Sequence, residues 1–141
     1  MLFVIDAPIL RIFLRLIAIV LQKFSEIFLG AAIIPTADIG PGLYIGHTGV
    51  IRVHPGVKAG KNLSIGPCTI IGERGVGKGG VPVIGNNVYI GTGCKILGAV
   101  KIGNNVKIGA NAVVIKDVPD GATAVGVPAR IIQCKEKGQG V

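Results

Sequence analysis

The chain has 141 residues, a length that fits one domain. Half of these are hydrophobic but only six are aromatic, with no Trp, which excludes a core built on aromatic bulk. Fifteen Lys and Arg against seven Asp and Glu give a net charge of +8. No recognisable nucleic-acid module or set of stacking aromatics accompanies that charge. It points instead to a polyanionic small molecule, an anionic membrane surface or a plain solvated basic face.

Residues 8–29, PILRIFLRLIAIVLQKFSEIFL, read as a helix, with Pro8 suited to its first turn. Arg11, Arg15, Gln22 and Glu26 fall within about 60° of one another on the helix wheel, so the polar stripe is narrow and the apolar face wide. Arg11, Arg15 and Lys23 leave only LIAIVL (16–21) uncharged and wholly apolar, which is too short to span a bilayer. A signal peptide is not expected either, because the charges sit inside the apolar stretch, Asp6 precedes it and QKFSE separates it from the small residues at 30–32. Two readings stay open. The helix packs on the solenoid end or on neighbouring subunits, or it lies in a membrane interface as a peripheral contact.

From Ile33 a repeat begins, with Pro35 to Pro41 as a capping half-coil over an otherwise open edge. The repeat is clearest later, where IGNNVYIG (84–91) returns as IGNNVKIG (102–109), 18 residues on. Between and around the copies an aliphatic residue recurs every six positions, at Ile84, Ile90, Ile96, Ile102, Ile108 and Val114. A six-residue unit is a short strand and a turn that cannot bury its own side chain. Three units close a triangular coil of 18 residues, and coils stack at the strand spacing of roughly 4.8 Å. The fold expected is therefore all-β, a parallel β-helix of hexapeptide repeats with one N-terminal α-helix.

Followed backwards, equivalent positions lie at Ile39, Ala59, Ile84 and Ile102, separated by 20, 25 and 18 residues. The two-residue excess falls in IGHTGVIRV (45–53). The seven-residue excess falls in GERGVGKGGVPV (72–83). Insertions in a solenoid form protruding loops that carry its binding face. GERGVGKG (72–79) nearly spells a phosphate-binding loop. It fails at Gly79, where a hydroxyl is required, and Pro82 and a strand follow where a helix is needed.

After Val114 the ladder gives way to IKDVPDGATAVGVPARII (115–132), whose two Val-Pro pairs impose ordered extended chain. KEKGQGV (135–141) reads as a frayed tail. The organisation expected is a helix over 1–32, a repeat domain over 33–132 and a tail over 133–141. Cys68, Cys94 and Cys134 are odd in number and lack metal or disulfide spacing, so they read as reduced thiols of an intracellular protein, with Cys94 in a small core slot. His47 and His54 are the only histidines, too few for a three-imidazole zinc site in one chain, and no metal is expected. Only His47 stands at a break in the period. His54 follows Val53 inside a regular repeat and reads as structural.

IGHTG, the Gly-rich excursion closed by VPVIG, IGTGCKILG, IGANAVV and DVPDGATAVGVPARI together resemble the hexapeptide-repeat acyltransferases. The serine O-acetyltransferase branch and its short relatives in polysaccharide biosynthesis are nearest. The resemblance covers about 33–132. It implies a left-handed β-helix, a hand that the general crossover rule does not supply. It implies an acetyl-CoA-dependent O-acetyltransferase in which His47 is the general base, since a hydroxyl is a poor nucleophile until a base takes its proton. The acceptor would be serine or a sugar or polysaccharide precursor.

The resemblance also implies CoA in a groove between neighbouring β-helices of a homotrimer, touched at Gly72, Thr92, Ala110 and Arg130. It implies a cytoplasmic location, peripheral at the inner membrane face if the helix binds lipid. Two positions depart from the pattern. Ala32 stands where serine acetyltransferases pair an Asp with the base, and Val81 where they carry a second histidine. These losses favour a sugar-type acceptor, and they leave a catalytically inactive β-helix scaffold as the alternative.

Overall fold

The computed structural model describes residues 8–29, 31–33, 37–77 and 79–133. Pro35, Cys134 and the 135–141 tail lie outside them. Helix α1 (Pro8–Leu29) precedes β1 (Ala31–Ile33), β2 (Asp38–Ile39), β3 (Tyr44–Ile45), β4 (Ile51–Val53) and β5 (Lys58–Ala59). Next come β6 (Ser64–Ile65), β7 (Ile70–Gly72), β8 (Val83–Ile84), β9 (Tyr89–Ile90) and β10 (Lys95–Leu97). The chain continues through β11 (Lys101–Ile102), β12 (Lys107–Ile108), β13 (Val113–Val114), β14 (Ala122–Val125) and β15 (Arg130–Gln133).

Every third strand stacks on the same face. The first face holds β1, β4, β7, β10 and β13, the second β2, β5, β8 and β11, and the third β3, β6, β9, β12 and β14 with β15 added. All pairs are parallel except β14–β15. The registers reproduce the spacing read from the sequence. Ile39, Ala59, Ile84, Ile102 and Val118 form one row, and Ile45, Ile65, Ile90, Ile108 and Ala124 a second. Ile33, Val53, Ile71, Ile96 and Val114 form the third. Both breaks in the period fall where the spacing puts them, before Val53 and before Ile84.

From Ile51 to Ala124 the inward side chains are aliphatic, joined by Cys94 and Thr69. Each buried Ile or Val contributes on the order of 1.5–3 kcal/mol, and a rung cannot collect it without the coils above and below. Thr69 is satisfied in the core by donating its hydroxyl to the Gly66 carbonyl at 2.7 Å. In the lowest coil Leu43 and Ile45 remain exposed, because nothing among the described residues covers that end.

The edge between the second and third faces turns through the left-handed region in every coil, at Gly42, Asn62, Asn87, Asn105 and Gly121. Asn tolerates that conformation, and here it also stitches coils together. Asn62 donates to Asn87 at 2.9 Å and Asn87 to Asn105 at 3.3 Å. Beside this ladder the Asn86 and Asn104 side chains accept from the backbone N–H of the preceding coil, both at 2.8 Å.

The C-terminal segment is extended, as its Val-Pro pairs predict, but it also reverses. Val127–Pro128 is a cis bond, and β15 returns antiparallel along β14. The repeat gave no sign of that reversal.

Helix α1 has an orientation the pattern alone does not indicate. Its half-buried residues are Gln22, Ser25 and Glu26, on the polar side. Phe13, Leu16, Val20, Phe24 and Ile27 are exposed, so the wide apolar face turns away from the chain's own solenoid. No helix among the described residues is long and apolar enough to cross a membrane.

Candidate active site

The two-residue bulge stands at the edge between the third and first faces. In the higher coils two residues separate the edge glycine from the next inward side chain, as Pro67 and Cys68 do between Gly66 and Thr69. In the first coil four residues, His47 to Val50, occupy that gap between Gly46 and Ile51. The extra chain must project, and His47 is exposed on it. Gly49 lets the bulge settle on the coil above, since a Cβ there would lie 2.7 Å from Pro67 Cβ. No hydrogen bond or ion pair engages the His47 imidazole among the described residues.

His54 is engaged. Its Nδ1 accepts the Gly56 N–H at 3.1 Å, which commits that lone pair and places the proton of the neutral ring on Nε2. Nε2 faces Glu73 Oε1 at 3.7 Å. The other oxygen of Glu73 accepts the Gly77 N–H at 3.4 Å, so one carboxylate ties the excursion to the coil below. With its one available lone pair already accepting a backbone N–H, the ring has none to direct at a substrate hydroxyl. Sequence reasoning read His54 as structural but missed Glu73: the regular 18-residue step from Val53 to Ile71 puts 54 beneath 72, yet the period does not say which way the next side chain turns where the Gly-rich excursion opens.

The departures also have places in the structure. Ala32 pairs with Arg52 in the β1–β4 ladder. Val81 is half-buried and packs on the aliphatic core. A hydrophobic contact thus replaces any polar role at that position.

The remaining candidates divide between two edges. Thr92 and Ala110 are exposed directly above His47, two and three coils up, or roughly 10 and 14 Å at strand spacing. The coils approach closely along this edge, and a Cβ on Gly91 would lie 2.8 Å from the Ala110 nitrogen. Arg130 is exposed at the top, where β15 begins opposite Val125. Small side chains below and a guanidinium above suit an extended phosphate-bearing molecule lying along the backbone. Gly72 is not with them. It is buried at the end of β7, on the edge between the first and second faces, between His54 and Leu97.

Two groups near these edges are displaced from their ordinary ionisation. The Lys23 ammonium, hydrogen-bonded to Glu26 at 2.8 Å, holds that carboxylate below its usual range. Burial pushes the Cys94 thiol up, while its Sγ donates to the Gly109 carbonyl at 3.0 Å.

A family model, bacterial transferase hexapeptide (six repeats), matches residues 82–116. The chain is 40% identical over 117 residues to a serine acetyltransferase of Helicobacter pylori (strain J99 / ATCC 700824), covering 82% of this chain and 68% of the relative. The chain belongs to the serine acetyltransferase family. Among solved structures, a serine acetyltransferase in complex with CoA matches with a TM-score of 0.74 and 38% identity, over 82% of this chain and 48% of that one. The Neisseria gonorrhoeae serine acetyltransferase in complex with serine matches with a TM-score of 0.73 and 39% identity, over 82% and 47%. The β-helix is left-handed, as in this family. This chain spans about half the length of those structures and between 43% and 68% of the curated serine acetyltransferases it matches. Matches reaching 84% of this chain cannot be contained in residues 31–141, so the likeness to the family runs back into α1.

Proposed function

We propose that the chain transfers an acetyl group from acetyl-CoA to an acceptor hydroxyl, with His47 as general base. The imidazole takes the hydroxyl proton as the oxygen attacks the thioester carbonyl. The C–O ester bond forms, the C–S bond breaks, and the proton passes on to the departing CoA sulfur. The observation that carries this reading is the contrast between the two histidines. His47 projects unengaged from the bulge, on the same edge as Thr92, Ala110 and Arg130, whereas His54 has its Nδ1 lone pair bound to a backbone N–H.

Thr92, Ala110 and Arg130 line the path for CoA along that edge, and Gly72 joins them from a neighbouring copy. In a homotrimer the edge bearing His47 meets the neighbour's edge bearing Gly72, which brings the divided candidates into one groove. The solved relatives carrying CoA and serine support this co-substrate and a small hydroxylated acceptor. Serine and a sugar or polysaccharide precursor are the two acceptor classes. Supply of acetyl-CoA places the protein in the cytoplasm. The catalytic repeats, expected over 33–132, take in β1 from Ala31, since it already pairs with β4, and α1 (Pro8–Leu29) precedes them. The apolar face of α1 packs on neighbouring copies, with peripheral contact at the inner membrane face as the competing use.

The test is thiol release from acetyl-CoA across a panel of serine, nucleotide sugars and lipid-linked sugars. His47→Ala lowers kcat by a factor on the order of 10²–10⁴ and leaves acetyl-CoA affinity nearly unchanged. His54→Ala keeps kcat within about fivefold and acts on acceptor KM. Full kcat in His47→Ala rejects the assignment. Acetyl-CoA binding with no turnover on any acceptor favours the inactive scaffold.

A further inference from the structure

The repeats contain two Tyr and no Phe or Trp, since the four Phe all precede Ala31. Both Tyr stand on one outward row of the third face. The registers run Tyr44, Ser64, Tyr89, Lys107, so the two rings are two coils apart, roughly 10 Å at strand spacing. Both are well exposed, at 64% and 54%, and the residue between them is small.

Tyr44 is also joined to the candidate active site. At the corner glycines of the higher coils, Gly66, Gly91 and Gly109, a Cβ would strike the coil above at 2.7, 2.8 and 2.8 Å. Gly46 differs. The atoms nearest its Cβ position all belong to Tyr44, with ring Cε1 at 3.4 Å and Oη at 3.8 Å, and no atom of the coil above comes as near. Where the bulge opens the corner, the Tyr44 ring leans over the step, one residue before His47.

Charge limits what fits that step. Apart from the His47 base, neither residues 44–50 nor the chain above them, 64–69, carries an ionic side chain. A free amino acid would bring an ammonium and a carboxylate here, each needing an opposite charge once out of water. A pyranose brings neither. Its hydroxyls lie around the rim and its C–H face is apolar, which suits the flat ring of a tyrosine while the rim stays hydrogen-bonded.

We infer that Tyr44 is the stacking wall of an acceptor subsite for a pyranose ring, and that Tyr89 takes a second unit of the same glycan. This rests on the acetyl-transfer reading above and selects the sugar class within it. A ring stacked on Tyr44 turns its rim hydroxyls to the His47 step. The glycan then runs past Ser64 to Tyr89, a separation that two linked pyranoses span, beside the edge carrying Thr92 and Ala110.

The test follows thiol release from acetyl-CoA with the full chain. The acceptors are L-serine, the methyl pyranosides of glucose, galactose, mannose and N-acetylglucosamine, their open-chain alditols, and cellobiose, lactose, mannobiose and chitobiose. An alditol keeps the hydroxyls without the ring face. At saturating acetyl-CoA at least one pyranoside exceeds its alditol and L-serine by about fivefold or more in kcat/KM, and its disaccharide exceeds it again. Tyr44→Ala removes the ring preference through acceptor KM with acetyl-CoA KM unchanged, and Tyr44→Phe retains it. Tyr89→Ala removes the disaccharide's advantage.

Calorimetry with the same pyranosides on His47→Ala and on the His47→Ala/Tyr44→Ala double variant measures binding apart from turnover. Pyranoside binding that needs Tyr44, without turnover in the wild type, retains the sugar site and rejects the acetyl-transfer reading. Turnover of L-serine with no pyranoside used or bound overturns the inference and leaves that reading standing. Equal use of ring and open chain, a ring preference that survives Tyr44→Ala, or no pyranoside binding in either variant also overturns it. A disaccharide no better than its single unit removes Tyr89 from the site.

Discussion

At the scale of single residues, position along the repeat decides what a side chain can do. His47 and His54 are seven residues apart, yet one projects from a bulge and the other is fixed by a backbone N–H and a carboxylate. The bulge was legible, because a period of six makes any excess countable. The partners of His54 were not, because Glu73 opens the Gly-rich excursion, where the period no longer says which way a side chain points. Cys94 gives a direct check at this scale. Burial raises its thiol, so at pH 8 less of it is thiolate than for a free cysteine. In a Cys134→Ser background, iodoacetamide should label the exposed Cys68 promptly and Cys94 only once the protein unfolds. Equal labelling of both under native conditions would place Cys94 outside the core.

At the scale of elements, the strands were the most legible part and α1 the least. Two- and three-residue strands follow from alternation alone, since each outward Lys or Tyr stands beside an inward Ile. The antiparallel return of β15 follows from chain geometry after Gly126, beyond the last regular repeat. The helix was found from its apolar run, but a wheel cannot say which face meets the neighbour. Here the polar stripe faces the solenoid and the apolar face is exposed. The aliphatic rows from Ile51 upward are complete without the helix. Deleting residues 1–29 should therefore leave a cooperative β-type melt by circular dichroism. Loss of cooperativity would make α1 part of the core. Sedimentation with and without anionic vesicles then separates its two uses: self-association lost on truncation supports packing between copies, and vesicle binding lost on truncation supports the membrane surface.

For the whole molecule, the divided placement of Gly72 against Thr92, Ala110 and Arg130 is informative. On the proposed assignment one chain offers half a groove on each of two edges, and a ring of three copies would join the halves three times over. Light scattering at micromolar concentration should report a trimer. A monomer that still binds CoA would reject the shared groove.

The stacking also sets how the protein would give way under tension. Hydrogen bonds between coils run along the prism axis, so a pull on the two ends loads the three short ladders at one coil boundary together. When that boundary yields, a single coil unwinds and the next boundary takes the load. An 18-residue coil would release roughly 60 Å of slack, and the coil holding the Gly-rich excursion more, so the trace would be a staircase of unequal treads.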